Sequence, residues 1–155
     1  MLRWSLRLLI GLVLTALIAV MMGPLLLYAI GLAKIDGRPS HASHPTVAPE
    51  DVEALFRTLR ISQPITIDRL SPYSYIWAVV RRDERAFGQG VRFTLPIVRS
   101  HNADHLADRS MGAWHLSGAA LTIWLTRNWT TNEIIAKAIE LEKATAKAKE
   151  APTRP

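Results

Sequence analysis

A cluster of charged side chains is the first feature of this sequence that could take part in catalysis. Asp83 and Glu84 lie next to three arginines, Arg81, Arg82 and Arg85. A carboxylate serves as a general base when its pKa is shifted towards the working pH, which requires a position inside a cleft. Mixed charges at the end of a helix usually form solvated surface, and the sequence favours that interpretation.

A second group of side chains could bind a metal ion. It comprises His101, Asp104, His105 and Asp108, and the two histidines would share one face of a helix, as two zinc ligands can. The glutamate of a zinc-protease motif is missing at this spacing, so we predict neither a metal site nor a cofactor. No serine has a base and an acid at a recognisable spacing, and the sequence contains no phosphate loop or dinucleotide fingerprint.

An apolar run at the N-terminus is the most pronounced element of the chain. No charged residue occurs between Leu8 and Ala33, and a bilayer core takes about 20 helical residues. Cleaved signal peptides have apolar regions of about 7–15 residues, so we predict that residues 1–33 form an uncleaved transmembrane anchor. Arg3 and Arg7 precede the run without an acid, which favours a cytoplasmic N-terminus. In a bacterium the anchor would lie in the inner membrane and the rest of the chain in the periplasm.

The rest of the chain predicts a mainly α protein. Residues 34–48 are rich in Pro, Ser, Gly and His, which predicts a flexible stalk. Residues 49–151 predict a small domain of about four helices with one short extended segment, and residues 152–155 a tail. Apolar side chains at helical spacing, together with capping residues, define these elements. We predict helices at 49–60, 71–87, 110–128 and 130–150, an extended segment at 63–70, and a loop over 88–108.

The predicted helix 110–128 is apolar on nearly all sides. Such a helix is typical of a buried core, which is the interpretation we favour. The alternative is a helix that faces the membrane or docks a partner, with Trp114, Trp124 and Trp129 as interfacial anchors.

The charge of the chain restricts its partners. Beyond residue 33 the net charge is about +4, with acids interleaved among the basic residues. Contact with anionic headgroups beside the anchor is compatible with this balance. Nucleic-acid binding is not predicted, because the chain has no block of like charges and no nucleic-acid motif.

Two segments resemble the membrane-anchored peptidoglycan glycosyltransferases. LSPYSYIWAVVRRDERAFGQG (70–90) is similar to the first motif region of that family, and WHLSGAALTIWLTRNWTTNEII (114–135) to a later apolar helix. The resemblance places the catalytic base of the family at Asp83, followed by Glu84. It implies Arg81, Arg82, Arg85, Phe87 and His115 as binding residues.

The departures from that family are substantial. Gly90 replaces its histidine, and His115 and Gly118 occupy the positions of its later lysine and glutamate. The resemblance therefore implies a reduced relative without full catalytic machinery, which binds a lipid-linked glycan or the cell-wall synthesis machinery. The alternative is a small scaffold or accessory subunit of an inner-membrane complex. Both hypotheses make the lipid bilayer a partner.

Overall fold

The computed structural model describes residues 2–44, 46–59, 61, 66–82, 87–88 and 90–150. This part of the chain forms six helices and no strand, which confirms the mainly α prediction. A long apolar helix comes first, and five helices of a compact domain follow. The helices are α1 (Leu2–Ala33), α2 (Pro49–Leu59), α3 (Pro72–Arg81), α4 (Gly90–His105), α5 (Met111–Asn128) and α6 (Thr131–Glu150).

Helix α1 has the length and composition of a membrane span. Within the described chain, only its stretch Arg7–Ala33 is long and apolar enough to cross a bilayer. Large apolar side chains from Trp4 to Ile30 are exposed along it. Nearer its end, Gly31 is buried against α5. One helix therefore presents an apolar surface along most of its length and contacts the domain near its end.

Helix α4 corrects the sequence prediction, because 88–108 was expected to be a loop. The structure has a helix over Gly90–His105, with Pro96 inside it. Phe93, Ile97 and His101 recur every four residues and are buried. The loop prediction was wrong because polar and helix-breaking residues interrupt this apolar pattern in the sequence. Pro96 removes one helical hydrogen bond, but packing against α5 and α6 more than offsets that loss.

Local signals define most of the remaining helix ends. The Ser71 side chain accepts a hydrogen bond from the Ser74 backbone, and Ser74 reciprocates, which forms a capping box at the start of α3. Thr130 and Glu133 form the predicted box before α6. Helix α3 was expected to continue to residue 87, but it ends at Arg81. Arg82 adopts a left-handed φ of 53°, and its N–H bonds back to the last turn.

The chain between α2 and α3 is irregular where it is described. The first part of the predicted extended segment, residues 63–65, lies outside the described residues. Ile67 and Leu70 are buried, and their backbone N–H groups donate to the side-chain oxygens of Thr131 and Thr126 at 3.4 and 3.2 Å. Two threonines on helices thus supply the acceptors that a neighbouring strand would otherwise provide.

The centre of the core is α5, which lies between α1 and α4. Leu121 and Leu125 are fully buried, and Ile134 of α6 is equally so. This burial confirms the prediction that 110–128 is a core helix and argues against its use as a docking surface. A polar contact crosses the core, since the Asn102 amide donates to the Ser117 hydroxyl at 2.9 Å.

The segment predicted as a stalk is irregular and packs along the domain. Ile35 is buried and pairs with Leu106 in an isolated β-bridge. The ring of His41 stacks on Trp129 with centroids 4.4 Å apart. The Ser43 N–H donates to Glu140 at 2.6 Å. These contacts follow the helical surface from the end of α1 towards α6.

Candidate functional site

The charged cluster lies at the end of α3 and is only partly described. Asp83, Glu84 and Arg85 lie outside the described residues. Arg81 is exposed in the last turn of α3, with its guanidinium 4.3 Å from the ring centroid of Trp77. Arg82 is exposed at the left-handed cap. Both described arginines therefore have their charge in solvent-accessible positions beside the exposed face of α3.

The other two residues implied by the family resemblance lie on different elements. Phe87 is half-buried, and its ring meets the edge of Tyr75 with centroids 5.0 Å apart. His115 is exposed on the first half of α5. Phe87 therefore packs against the base of α3, whereas His115 occupies a separate helix.

The histidine group is brought together only in part. The rings of His101 and His105 lie 4.3 Å apart, and both line a polar cavity of about 130 Å³ with Asp104. Asp108 instead accepts from Lys34 at 3.3 Å and from the Ser110 N–H at 2.9 Å. Among the described residues no group of three or more His, Cys, Asp or Glu side chains is arranged to hold a metal ion.

His101 is buried in a position that disfavours its charged form. Loss of hydration holds its pKa below the ordinary value, the nearby His105 lowers that pKa further, and a hydrogen bond with the Asp36 backbone raises it part of the way back. Its Nε2 atom is buried without a hydrogen-bond partner among the described atoms. The His101 ring thus contacts the backbone of the chain that leaves α1, at Asp36.

An apolar groove lies between α1, α3 and α5. One part, of about 290 Å³, lies among all three helices, and a second part, of about 640 Å³, lies between α1 and α3. Pro24, Leu27 and Ile76 line both parts, so the two are continuous. Ala119 and Ala120 form the α5 wall of the smaller part. We call this concavity the anchor groove.

The walls of the anchor groove carry few polar groups. Among the described residues, its smaller part has hydroxyl groups only from Tyr28 and Tyr75, and its larger part only from Tyr73 and Ser74. Small residues make room for it, since Gly23, Ala19 and Ala119 line its walls. A concave apolar surface of this size suits a hydrocarbon chain better than a polar substrate.

A hydrogen bond shows at which level along α1 the anchor groove lies. The Tyr73 hydroxyl donates to the Met21 carbonyl at 2.6 Å, next to the backbone that Pro24 loosens by lacking an N–H. A bilayer core takes about 20 helical residues. Every stretch of 20 residues within Leu2–Ala33 includes Met21. If α1 spans a bilayer, the start of α3 therefore lies at the edge of the hydrocarbon or within it.

Helix α1 is fixed against α5 by a close backbone approach. A Cβ atom added to Gly31 would lie 2.7 Å from both the Ala120 Cβ and the Leu116 carbonyl oxygen. Only glycine permits this approach without moving a helix backbone. Lys34 then pairs with Asp108 just before α5 begins, at 3.3 Å. The end of α1 is thus part of the folded domain and forms one wall of the groove.

Comparison of the chain with protein-family models, with characterised proteins and with solved structures finds no match. The resemblance to peptidoglycan glycosyltransferases therefore stays a prediction.

The sequence prediction missed the anchor groove. It treated α1 as a separate anchor and α3 as the carrier of catalytic carboxylates. The available signal was the set of small residues on α1 and α5, including Gly31 and Ala120, which favour close helix contacts in membranes. The arrangement places an apolar groove near the exposed Arg81 and Arg82, whereas the predicted catalytic residues Asp83 and Glu84 lie outside the described residues.

Proposed function

We propose that the protein is a single-pass membrane protein that binds the hydrocarbon tail of a membrane lipid in the anchor groove. The single observation that carries the proposal is the position of the groove, whose walls include α1 itself at the level of Met21. A lipid tail could enter such a groove sideways from the bilayer without crossing water. A soluble substrate would have to displace lipid to reach it.

Anchor retention is the first part of the proposal. Gly31 packs against Ala120, and Ile35 is buried immediately afterwards. Removal of α1 by a signal peptidase would expose this face of α5, at a cost of about 25 cal/mol for each Å² of apolar surface. The uncleaved helix therefore serves as anchor and as structural element.

The proposed location is the bacterial inner membrane, with a cytoplasmic N-terminus and a periplasmic domain. The basic residues Arg3 and Arg7 on a short tail support this orientation. A periplasmic reporter enzyme fused after Pro155 should be active and a cytoplasmic reporter inactive. The reverse pattern would overturn the orientation while leaving the groove unaffected.

The lipid we propose is a lipid-linked glycan, the substrate class of the family that the sequence resembles. Such a lipid carries a pyrophosphate between its tail and its sugar. Arginine side chains pair well with phosphate oxygens, and Arg81 and Arg82 are exposed at the end of the helix that lines the groove. A tail in the groove and a pyrophosphate near these arginines would occupy one connected surface.

We further propose an accessory role instead of catalysis. Transfer of a sugar from a pyrophosphate needs a positioned base and charge stabilisation at the leaving group. Gly90 and Gly118 stand where the resembling family has a histidine and a glutamate. The protein would present or retain a lipid-linked intermediate for a partner of the cell-wall synthesis machinery.

The proposal can be tested with a lipid that carries a photoreactive group in its tail. The full chain, reconstituted in nanodiscs, would be irradiated with a photoreactive polyprenyl pyrophosphate and, separately, with a photoreactive phospholipid. We expect the polyprenyl probe to label residues of α1, α3 and α5 that line the groove. Ala119→Trp should reduce this labelling by filling the smaller part of the groove. Ala54→Trp, at an exposed position on α2, is the matched control.

The outcomes separate the parts of the proposal. Equal labelling by both probes would overturn selectivity for a lipid-linked glycan and retain a general lipid groove. Labelling spread over the exposed part of α1, with no effect of Ala119→Trp, would overturn the groove as a binding site. Loss of polyprenyl labelling in Arg81→Gln, with phospholipid labelling unchanged, would support recognition of the pyrophosphate.

A further inference from the structure

Helix α3 has an outward face that no part of the described chain covers. Tyr73, Trp77 and Val80 recur at helical spacing and are exposed, with Trp77 at 56% and Val80 at 68%. Val79 is also exposed, but it lies on another side of α3, where it lines the smaller part of the anchor groove. The opposite side of the helix is buried through Pro72 and Ala78. A ten-residue helix that exposes three large apolar side chains on one face favours an apolar environment on that side.

The position of this face along α1 indicates what covers it. The Tyr73 hydroxyl donates a hydrogen bond to the Met21 carbonyl, and Trp77 lines the anchor groove together with Ala19 and Val20. The exposed surface of α3 is therefore continuous with the exposed apolar surface of α1. Helix α1 needs hydrocarbon around this level if it spans a bilayer, and α3 lies in the same layer.

The arginines at the end of α3 restrict how deeply this helix can lie in the bilayer. Arg81 and Arg82 are both exposed, and a guanidinium at the bilayer centre is strongly unfavourable. Long basic side chains reach the headgroups when their helix lies near the edge of the hydrocarbon. Tryptophan and tyrosine are enriched at that edge, because their rings are apolar and their tips polar. Trp77 with Arg81 stacked over it at 4.3 Å fits this layer.

We infer that α3 is an interfacial helix, with its Tyr73–Trp77–Val80 face immersed in the domain-side leaflet at the boundary of headgroups and acyl chains. The occupant of this surface is the bilayer itself. The domain-side edge of the hydrocarbon then lies at or beyond the level of Met21 on α1, and the end of α1 packs on α5 through Gly31. Helix α3 fixes the height and the tilt of the domain above the membrane. This inference rests on the proposed membrane span of α1, but not on lipid binding in the anchor groove.

The chain contains no cysteine, so single cysteines can carry an environment-sensitive dye. Three full-length variants would be labelled and reconstituted in vesicles of phosphatidylcholine and phosphatidylglycerol. Val80→Cys reports on α3, Leu14→Cys on the middle of α1, and Met111→Cys on the start of α5. Met111 is the matched control, because it is also exposed and apolar but lies next to the Lys34–Asp108 ion pair, beyond the end of α1.

Each dye would be quenched by lipids that carry a spin label at a shallow or a deep acyl position. We expect the Val80 dye to shift to the blue and to be quenched mainly by the shallow label. The Leu14 dye should be quenched mainly by the deep label, and the Met111 dye by neither. A Val80 dye that behaves like the Met111 dye, with Leu14 still quenched, would overturn the interfacial helix and leave the anchor intact. Loss of quenching at Leu14 would overturn the membrane span and this inference together.

Discussion

Helices α3 and α5 have similar compositions and opposite environments. Both are apolar and contain tryptophan, yet Leu121 and Leu125 of α5 are fully buried, whereas Trp77 and Val80 of α3 are exposed. From the sequence, a core position was favoured for α5, with a membrane or docking role as the alternative, and the structure makes α5 the central core helix. Apolar character shows that a helix avoids water, but only its neighbours decide whether protein or lipid surrounds it.

The largest expected effect comes from truncating one apolar side chain in each helix. Leu121→Ala should destabilise the domain by about 2–5 kcal/mol, because it leaves a cavity in a fully packed core. Val80→Ala should change stability in detergent by less than about 0.5 kcal/mol, because the Val80 side chain is largely exposed. Thermal unfolding of the full chain in detergent would measure both. Similar destabilisation by the two variants would contradict the different roles of the helices.

An intermediate effect is expected where α1 joins α5. Gly31→Ala should destabilise the fold by about 1–3 kcal/mol, because the added methyl group meets the Leu116 carbonyl oxygen, a backbone atom that cannot move alone. Gly11→Ala is the matched control on the same helix, since no described atom beyond its own helix backbone lies within 4 Å of its added methyl group. The difference in melting temperature between the two variants measures the effect of the close contact, because both variants make the same Gly-to-Ala change in helix propensity. Equal melting temperatures would mean that α1 does not dock on α5.

The smallest expected effect is a dependence of core stability on pH. The pKa of His101 is lowered in the folded state, mainly by burial, so the unfolded chain takes up its proton at a higher pH. The stabilisation from neutral His101 is therefore complete above its unfolded pKa of about 6.5. It is lost as the pH falls through the lower, folded pKa. Helix α3 contains no histidine and should contribute nothing to the pH dependence of stability between neutral and mildly acidic pH.

Thermal unfolding between neutral and mildly acidic pH would measure this dependence. The melting temperature of the original chain should fall with pH over this range, and that of His101→Gln should fall less. His115→Gln is the control, because His115 is exposed on α5. If His101→Gln kept the full dependence, the pH sensitivity would originate elsewhere in the chain.

The sequence alone was sufficient for features that depend on neighbouring residues. The charge-free run of α1 identified a candidate span, the cap Ser71 followed by Pro72 located the start of α3, and the box at Thr130–Glu133 located the start of α6. Hydropathy and capping act over a few residues, so they can be read directly along the chain. The short range of these signals also explains why α4 was missed. Phe93, Ile97 and His101 lie on one face of α4, but the burial of that face depends on packing against α5 and α6.

Only the tertiary structure decided where the candidate site lies. The anchor groove depends on contacts between distant segments, Tyr73 with Met21 and Gly31 with Ala120. No local pattern specifies such pairs, because each partner is an ordinary member of its own helix. The sequence therefore drew attention to the charged residues after α3, whereas packing formed an apolar groove along the helix before them. Burial and exposure follow from which helices meet, and that information exists only after the chain has folded.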